Sequence, residues 1–451
     1  MLDDRRASGT VVIDHVTVID GTGAPPQADM TVVVSGGRIE AVGHAAAANR
    51  TPGARLVEGA AKFLIPGLWD SHVHSFLDPS CVETMFPVFV AHGIVGIRDT
   101  HGDLALAKST RAEVAAGTRL GPRIITPGIL LDGTPPIIPT GQGVATESEA
   151  RAAVRERKAS GVDYVKVYSR LSREAYFAIA DEAATLNIPF AGHVPSAVTA
   201  AEASDAGQCA FEHLMGVEMS VSTEEDALRR RQMEVTGEFE PPDAAVIRKT
   251  YSRKRANELF ARFVRNQTWQ CPTLVVARAL GAFLSTDFNA DPRMRYFSPW
   301  VRQLWEIYRT IGERLCAGMG PLERVYRELT GELWRAGVPI LAGSDTPNPL
   351  VFPGSSLHEE LEFLVEAGLT PLAALQAATI QPARFLGRLD SQGTVETGKV
   401  ADLVLLDANP LDDIRNTKKI AAVVLAGAYL DRAALDGLLE QATQAAAGEA
   451  Q

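Results

Sequence analysis

The apolar residues near both ends of the chain form short β-branched runs that favour β-strands. The runs near the first end are residues 11–13, 16–19, 31–34 and 38–42, and those near the other end are residues 403–406 and 421–425. A hairpin is predicted at Gly36–Gly37. Because each end supplies only half the strands of a sheet, the pattern predicts one small β-sandwich domain assembled from residues 1–62 and 390–433.

Between these ends, short apolar runs alternate with longer amphipathic segments of helical spacing. The predicted strands are residues 63–67, 94–98, 123–126, 164–167, 189–191, 209–212, 271–275 and 339–342. Eight strand–helix units close a (β/α)8 barrel, so an α/β domain of the TIM-barrel type is predicted over residues 63–389. Residues 219–267 and 280–335 exceed ordinary connections and are expected to be helical insertions. The Ala- and Gln-rich tail, residues 434–451, is expected to fray.

The composition excludes several classes of protein. The 451 residues are 46% hydrophobic and 22% charged, which excludes wholesale disorder. The net charge of −11 argues against nucleic acid and anionic lipid as partners. The four cysteines are far apart in sequence and favour a reducing compartment. Without a run of about 18 apolar residues or an apolar leader, the chain is expected to be cytoplasmic, with no membrane partner.

Residues with metal-binding or acid–base character stand at the ends of five predicted strands. They are His72 and His74 on the first strand, Lys166 on the fourth, His193 on the fifth, His213 on the sixth and Asp345 on the eighth. Alternation along a strand sends His72 and His74 to the same face, which suits two imidazoles binding one metal. Each residue alone has an ordinary alternative, such as a hydrogen-bonded histidine or a lysine reaching solvent. Because parallel barrel strands end at one mouth, the coincidence of six predicts a metal centre there.

The motifs around these residues resemble those of the amidohydrolase superfamily over nearly the whole chain. They are PGLWDSHVH at residues 66–74, YVKVY around Lys166, His193, His213, GSD at residues 343–345 and GTVETGKVADLV at residues 393–404. The lysine in its strand is similar to that of the binuclear branch, where it is carbamylated by CO2. Prolidase-like Xaa-Pro dipeptidases, related carboxypeptidases and ochratoxin-type amide hydrolases belong there. Imidazolonepropionase lacks this role for lysine, so Lys166 argues against that enzyme.

This resemblance implies two divalent metal ions, expected to be zinc. His72, His74 and Asp345 would hold the first, and His193 and His213 the second. Carbamylated Lys166 and a hydroxide would bridge the two. Zinc lowers the pKa of water from about 15.7 to about 7, and a second metal polarises the carbonyl oxygen. Asp345 would take the proton of the hydroxide and pass it to the leaving amine, so Asp345 and Lys166 are the expected catalytic residues.

The predicted function is therefore hydrolysis of an amide or peptide C–N bond in a small substrate. The resemblance favours a dipeptide or an N-acyl amino acid, including ochratoxin-like amides. Hydrolysis of a cyclic amide, lactone or other ester at the same metals is the alternative, and the ligand set does not separate the two. A non-catalytic barrel scaffold is less favoured, because such relatives usually lose ligands and all six are present here. The chain is expected to form a homo-oligomer.

Four further polar residues near the predicted mouth are candidates for substrate binding. Tyr168 and Arg170 follow Lys166, His101 follows the second strand and Arg278 follows the seventh. A tyrosine hydroxyl can stabilise an oxyanion, and an arginine can bind a substrate carboxylate. Each of the four is equally compatible with a solvated loop position.

Overall fold

The structure is a computed structural model that describes residues 9–44, 53–235 and 240–448. Within these residues the chain has a mixed α/β fold. The strands are β1 Val11–Val18, β2 Gln27–Ser35, β3 Arg38–His44, β4 Arg55–Glu58, β5 Phe63–Pro66, β6 Leu68–Val73, β7 Ile94–Asp99, β8 Arg123–Ile125, β9 Leu131–Asp132, β10 Gln142–Gly143, β11 Val165–Val167, β12 Phe190–Gly192, β13 Ala210–Glu212, β14 Trp269–Cys271, β15 Leu403–Leu406, β16 Ile420–Leu425 and β17 Ala428–Asp431.

Helices connect most of these strands. They are α1 Pro79–Ala91, α2 Leu104–Ala116, α3 Glu147–Ala159, α4 Arg173–Thr185, α5 Ala200–Asp205, α6 Val217–Ser220, α7 Glu225–Glu234, α8 Ala244–Thr250, α9 Arg253–Asn266, α10 Leu274–Phe283, α11 Pro299–Ile311, α12 Glu313–Arg335, α13 Ser355–Glu366, α14 Pro371–Ala377, α15 Ile380–Phe385 and α16 Arg432–Ala446, with short 3-10 helices at Phe288–Ala290, Pro292–Tyr296 and Ile414–Lys418. None of the helices in the described part of the chain has the length and apolar character needed to cross a membrane.

Both ends of the chain contribute to one eight-stranded sheet. Its order is β17-β16-β15-β5-β1-β2-β3, with β4 paired to β1. The β2–β3 hairpin turns at Gly36 and Gly37, whose φ angles of 56° and 78° favour glycine. One apolar cluster contains Val32 from the first end and Val424 from the other. The prediction that the two ends share a sheet is therefore confirmed. The predicted segments 1–8 and 45–52 lie outside the described residues.

The predicted first barrel strand, residues 63–67, is wrongly placed. Phe63–Pro66 is β5, which pairs with β1 and β15 in the terminal sheet. The parallel strand that carries the site is β6, Leu68–Val73. The two strands are separated only by Gly67, where a Cβ atom would lie 2.5 Å from the Val95 side chain. One continuous apolar run therefore contributes a strand to each of two sheets, and hydrophobicity alone does not show where the first strand ends and the second begins.

The remaining strands form two parallel sheets, with orders β6-β7-β8 and β10-β9-β11-β12-β13-β14. Hydrogen bonds connect the two sheets at both sides. The Asp163 N–H donates to the Thr126 carbonyl at 2.9 Å, between the ends of β11 and β8. On the other side, Ile340 forms a parallel bridge with β14. The Ser71 N–H of β6 donates to the Ala342 carbonyl at 2.9 Å.

The two long insertions are helical, as predicted. The first contains α6 to α9, and the second contains α11 and α12. Residues 236–239 of the first insertion lie outside the described part of the chain. The predicted strand over residues 271–275 is wrong after its first residue, because β14 ends at Cys271 and α10 begins at Leu274. Pro272 cannot donate a backbone hydrogen bond, and Thr273 has a left-handed φ of 47°.

The prediction that the C-terminal tail frays is also wrong over its described part. Residues 432–446 form α16, which packs against α1. Its Leu435, Leu438 and Ala442 are buried at helical spacing. Asp431 caps the helix by accepting a hydrogen bond from the Ala434 N–H at 3.0 Å. Alanine and glutamine favour a helix once one apolar face has a partner.

Candidate metal centre

Six side chains predicted as metal ligands come from the carboxyl ends of the parallel strands. His72 lies in β6, with His74 just beyond it, and Lys166 lies in β11. His193 directly follows β12, and His213 directly follows β13. Asp345 follows the segment that bridges β14 and β6, and its N–H donates to the His72 carbonyl at 2.7 Å. Parallel strands bring their carboxyl ends together, so the topology explains why residues distant in sequence meet.

Two histidines approach one oxygen of a buried aspartate. The Nε2 atoms of His72 and His74 lie 3.3 and 3.0 Å from Oδ1 of Asp345. No hydrogen bond to Oδ1 is formed within the described residues, although both nitrogens lie this close. Burial would raise the pKa of Asp345, but the His72 and His213 imidazoles outweigh it and hold the pKa well below its usual value. A buried, unpartnered carboxylate oxygen beside two imidazoles fits a divalent cation.

His193 and His213 complete the histidine cluster. The His213 ring centroid lies 4.6 Å from that of His72 and 5.0 Å from that of His193. In both residues Nδ1 has a hydroxyl partner. Nδ1 of His193 lies 2.8 Å from Ser169 Oγ, and Nδ1 of His213 lies 2.6 Å from Thr273 Oγ1. These contacts leave Nε2 available for a metal.

Burial favours the neutral form of both imidazoles. It lowers the pKa of His213 to about 3 and that of His193 well below its usual value. Metal ligation requires neutral imidazole, so the electrostatics of the site agree with the geometry.

Lys166 is buried with its ammonium or amine group unsatisfied. Only 2% of the residue is exposed, and Nζ has no hydrogen-bond partner among the described residues. Burial lowers the pKa of Lys166 and so favours the uncharged amine. Gly192 on the neighbouring strand is required for close approach, since a Cβ there would lie 2.1 Å from the Val167 carbonyl oxygen and 3.1 Å from Lys166 Cδ.

The sequence analysis missed two charged residues beneath the histidines. Glu212 is fully buried, and its Oε2 lies 2.7 Å from Nδ1 of His72. Nη2 of Arg98 donates to both oxygens of Glu212, at 2.8 and 3.1 Å. Burial would raise the pKa of Glu212, but Arg98, Lys166 and His72 together outweigh it and hold the pKa well below its usual value. A single charged residue within a short apolar strand was the available signal for each of them.

The structure places three of the four candidate substrate residues near the histidine cluster or its loops. The Tyr168 ring stacks on His193 with a centroid distance of 4.0 Å. The His101 ring centroid lies 6.5 Å from that of His74. The Arg170 N–H donates to Asp132 Oδ1 at 2.6 Å.

His101 and Arg278 are both held by contacts of their own. Nδ1 of His101 accepts from the Leu130 N–H at 3.2 Å, and its Nε2 lies 2.8 Å from Thr140 Oγ1, so the ring braces the loop after β8. Arg278 is exposed on α10, where it faces Glu366 of α13 at 3.4 Å. Because α10 begins soon after β14, the helix directs Arg278 to this contact.

The donor set defines the kind of ion that this cluster can hold. The ligand atoms of His72, His74 and Asp345 all lie within 4.8 Å of one another. Imidazole nitrogen and carboxylate oxygen are typical ligands of zinc and other first-row divalent metals. His193, His213 and Lys166 lie beside this group and can contribute to a second position.

The fold and this cluster define a class of α/β proteins built around a histidine- and carboxylate-rich metal site. The sequence profile of the amidohydrolase family matches residues 63–430, and the chain belongs to that family. The resemblance inferred from the motifs is thereby confirmed.

Curated relatives match parts of the chain. Ochratoxinase from Aspergillus niger is 38% identical over 91 residues, which cover 20% of this chain and 18% of that enzyme. Imidazolonepropionase from Streptococcus gordonii is 35% identical over 142 residues, covering 30% of this chain and 42% of that protein. The matches therefore span less than half the length of these relatives.

Solved structures match nearly the whole chain. A Bifidobacterium longum protein provisionally named a prolidase superposes with a TM-score of 0.72 and 25% identity, over 96% of this chain and 99% of its own. A Xaa-Pro dipeptidase with bound methionine gives a TM-score of 0.70 at 19% identity, over 94% and 100% of the two chains. At 19% identity, the similarity to the Xaa-Pro dipeptidase shows a shared fold alone.

Proposed function

We propose that this protein is a metal-dependent hydrolase that cleaves an amide or peptide C–N bond in a small substrate. The observation that carries the proposal is the approach of His72 and His74 to the unpartnered Oδ1 of Asp345, at 3.3 and 3.0 Å. Membership of the amidohydrolase family supports it. A dipeptide or an N-acyl amino acid is the proposed substrate class, and ochratoxin-like amides are included. The names ochratoxinase and Xaa-Pro dipeptidase among the relatives support that class.

The proposed centre holds two divalent cations, with zinc as the expected metal. His72, His74 and Asp345 would hold one, and His193 and His213 the other. When bound, such ions polarise a carbonyl oxygen and lower the pKa of water. The chain contributes neutral imidazoles in fixed orientations and a buried carboxylate, so the ligands need little reorganisation on binding.

Lys166 is proposed to become a carbamate that bridges the two metal positions. The buried Nζ has no partner, and its lowered pKa favours the nucleophilic amine. The amine nitrogen would attack the carbon of CO2, forming an N–C bond and releasing one proton to solvent. The product is an anion, which gives the site an oxygen donor in place of a buried amine without a hydrogen-bond partner.

Asp345 is proposed as the proton carrier of the reaction. Its Oδ1 would bind the metal with His72 and His74, and its second oxygen, Oδ2, would accept a proton from the attacking hydroxide. The same oxygen can then donate that proton to the nitrogen that leaves. Tyr168, Arg170 and His101 remain candidates for substrate binding, whereas the position of Arg278 on α10 gives no support for this role.

The finer predictions on the fold and its setting stand as proposals. We propose that the two parallel sheets close into one (β/α)8 barrel, supported by the links at Asp163 and Ile340. A sandwich arrangement of the terminal sheet, a homo-oligomeric state and a cytoplasmic location stay predictions. A small molecule is the proposed partner, with no nucleic acid or membrane.

The test combines metal analysis with a substrate panel. The purified protein is expected to contain two equivalents of metal, to lose activity with a chelator and to regain it with zinc, cobalt or manganese. Dipeptides and N-acyl amino acids are assayed beside lactones and other esters. Asp345→Asn should abolish turnover, whereas the matched control Asp436→Asn, at an exposed position, should not. A protein that neither binds metal nor gains hydrolysis with added metal contradicts the proposal, and activity confined to lactones contradicts the bond type.

A further inference from the structure

The four histidines of the centre differ in what their second ring nitrogen contacts. Nδ1 of His72 lies 2.7 Å from the carboxylate oxygen Oε2 of Glu212. His193 and His213 contact hydroxyl groups, and His74 lies 3.4 Å from a backbone carbonyl oxygen. A carboxylate partner raises the basicity of an imidazole more than a hydroxyl partner does. His72 is therefore set apart from the other three.

Glu212 is itself fixed by a buried arginine. Nη2 of Arg98 donates to both carboxylate oxygens of Glu212, and its Nε donates to the Ser71 carbonyl at 2.7 Å. Arg98 is 2% exposed and Glu212 is 0% exposed. Two charges buried this completely need each other, because a lone charge would be strongly destabilising. The buried Arg98–Glu212 ion pair thus holds the carboxylate that contacts His72.

This arrangement fixes the proton on His72. A carboxylate that accepts from Nδ1–H leaves the lone pair on Nε2, and that Nε2 is the atom 3.3 Å from Asp345 Oδ1. The contact therefore selects the tautomer and the ring orientation needed for a ligand. Glu212, which sets this tautomer and this ring orientation, has no other role in the proposed mechanism.

We propose that Glu212, held by Arg98, is a positioning residue that orients His72 and strengthens one of the two metal positions. The position concerned is the one that His72 shares with His74 and Asp345. The inference rests on the proposed metal centre and goes beyond it by predicting that the two metals differ in their dependence on Glu212.

A direct role for Glu212 as a metal ligand is the competing interpretation. His72, Glu212 and Cys271 also offer ligand atoms within 4.8 Å of one another. In that group, however, Nδ1 of His72 already donates its proton to the Glu212 carboxylate and has no lone pair for a metal. If the group held a metal, Cys271→Ser should weaken binding as strongly as Glu212→Gln. The positioning role predicts no effect of Cys271→Ser on metal affinity.

The experiment measures two dissociation constants for zinc, by competition with a chromogenic chelator, in the parent protein and its variants. Glu212→Gln is expected to weaken one of the two about 10- to 100-fold and to leave the other within about threefold. Arg98→Lys keeps the positive charge but loses the guanidinium contact with both oxygens of Glu212. It should weaken zinc binding at the same metal position by a smaller factor. Glu360→Gln is the matched control, since Glu360 is equally buried but bonds the Val275 N–H at 2.8 Å.

The outcomes separate this inference from the function it rests on. A parent protein that binds no zinc refutes the proposed function. A parent that binds two equivalents, with Glu212→Gln binding both as tightly, refutes only the positioning role. Circular dichroism checks that each variant is folded. Should Glu212→Gln fail to fold, Arg98→Lys decides, and unchanged affinity at both positions in that variant overturns the inference.

Discussion

Asp70 accepts two hydrogen bonds from Ser344, one from the backbone N–H at 2.8 Å and one from the hydroxyl at 2.6 Å. Asp70 lies two residues before His72, and Ser344 directly precedes Asp345, so this contact joins two segments that supply proposed metal ligands. Both residues are completely buried. Burial raises the pKa of Asp70 to about 7 in spite of these hydrogen bonds. The pair therefore contributes to the spacing between His72 and Asp345.

Replacement of Ser344 by alanine tests this contact. The variant leaves one buried oxygen of Asp70 without its partner, which should lower the free energy of unfolding by about 1–3 kcal/mol. Zinc affinity should fall as well, because Asp345 loses a neighbouring anchor. Urea unfolding of the metal-free protein and zinc titration measure the two effects. Ser109→Ala, on the exposed surface of α2, is the control. Equal stability and equal zinc affinity in both variants would show that the contact is unimportant.

Lys166→Ala should remove the proposed bridge between the metals. We expect loss of one metal equivalent and of nearly all turnover, with partial recovery when a small carboxylate such as acetate or propionate is added. Metal analysis and a rate assay with and without the added acid provide the readout. Lys158→Ala, at an exposed lysine of α3, is the matched control. Full metal content and full rate in Lys166→Ala would exclude the bridging role.

The candidate residues at strand ends were the part of the site that could be predicted from the sequence. His72 and His74 alternate on one strand, and Lys166 stands alone within an apolar run, so local pattern predicts their faces. Their meeting with Asp345 follows from parallel topology, which brings all carboxyl strand ends together. Ligands contributed by strand ends are thus within reach of a pattern argument.

Contacts between distant segments were beyond such an argument. The pairing of Phe63–Pro66 with β15 depends on residues more than 300 positions away, and an apolar run does not state which sheet it enters. Arg98 and Glu212 each looked like a strand-end charge, and only their position in the folded chain shows that they neutralise each other. Arg278 lies on a helix and not at a strand end for a local reason, since Pro272 ends β14 early and α10 begins two residues later.

Tyr168→Phe separates two roles of that tyrosine. The ring stacks on His193, and the variant keeps this contact while it removes the hydroxyl. Burial raises the pKa of Tyr168 well above its usual value, so the hydroxyl stays a neutral donor across the working pH range. If the hydroxyl stabilises the oxyanion, kcat should fall about 100-fold or more with metal content unchanged. Tyr429→Phe in β17 is the control, and equal kcat in both variants would assign Tyr168 a packing role alone.

Glu218 on α6 should make the stability of the protein depend on pH. Burial raises the pKa of Glu218 to about 8, and its Oε2 has no hydrogen-bond partner among the described residues. A glutamate in the unfolded chain has a pKa of about 4.3. Between about pH 4.3 and 8 the folded protein therefore holds a proton that the unfolded chain has released. Stability should fall as pH rises through this window, by up to about 1.4 kcal/mol per pH unit at the steepest.

Glu218→Gln removes this titration and isolates its effect. The variant should be more stable than the parent at pH 8, and the difference should shrink toward pH 5, where the parent carboxyl is protonated when folded. Glu360, whose pKa burial also raises to about 8, remains in the variant, so its stability should still decline with pH but less steeply. Urea unfolding at pH 5, 6.5 and 8 gives the comparison, with Glu224→Gln at an exposed position as the control. A stability difference between Glu218→Gln and the parent that is the same at all three pH values would show that Glu218 is ionised throughout this range, which contradicts the prediction.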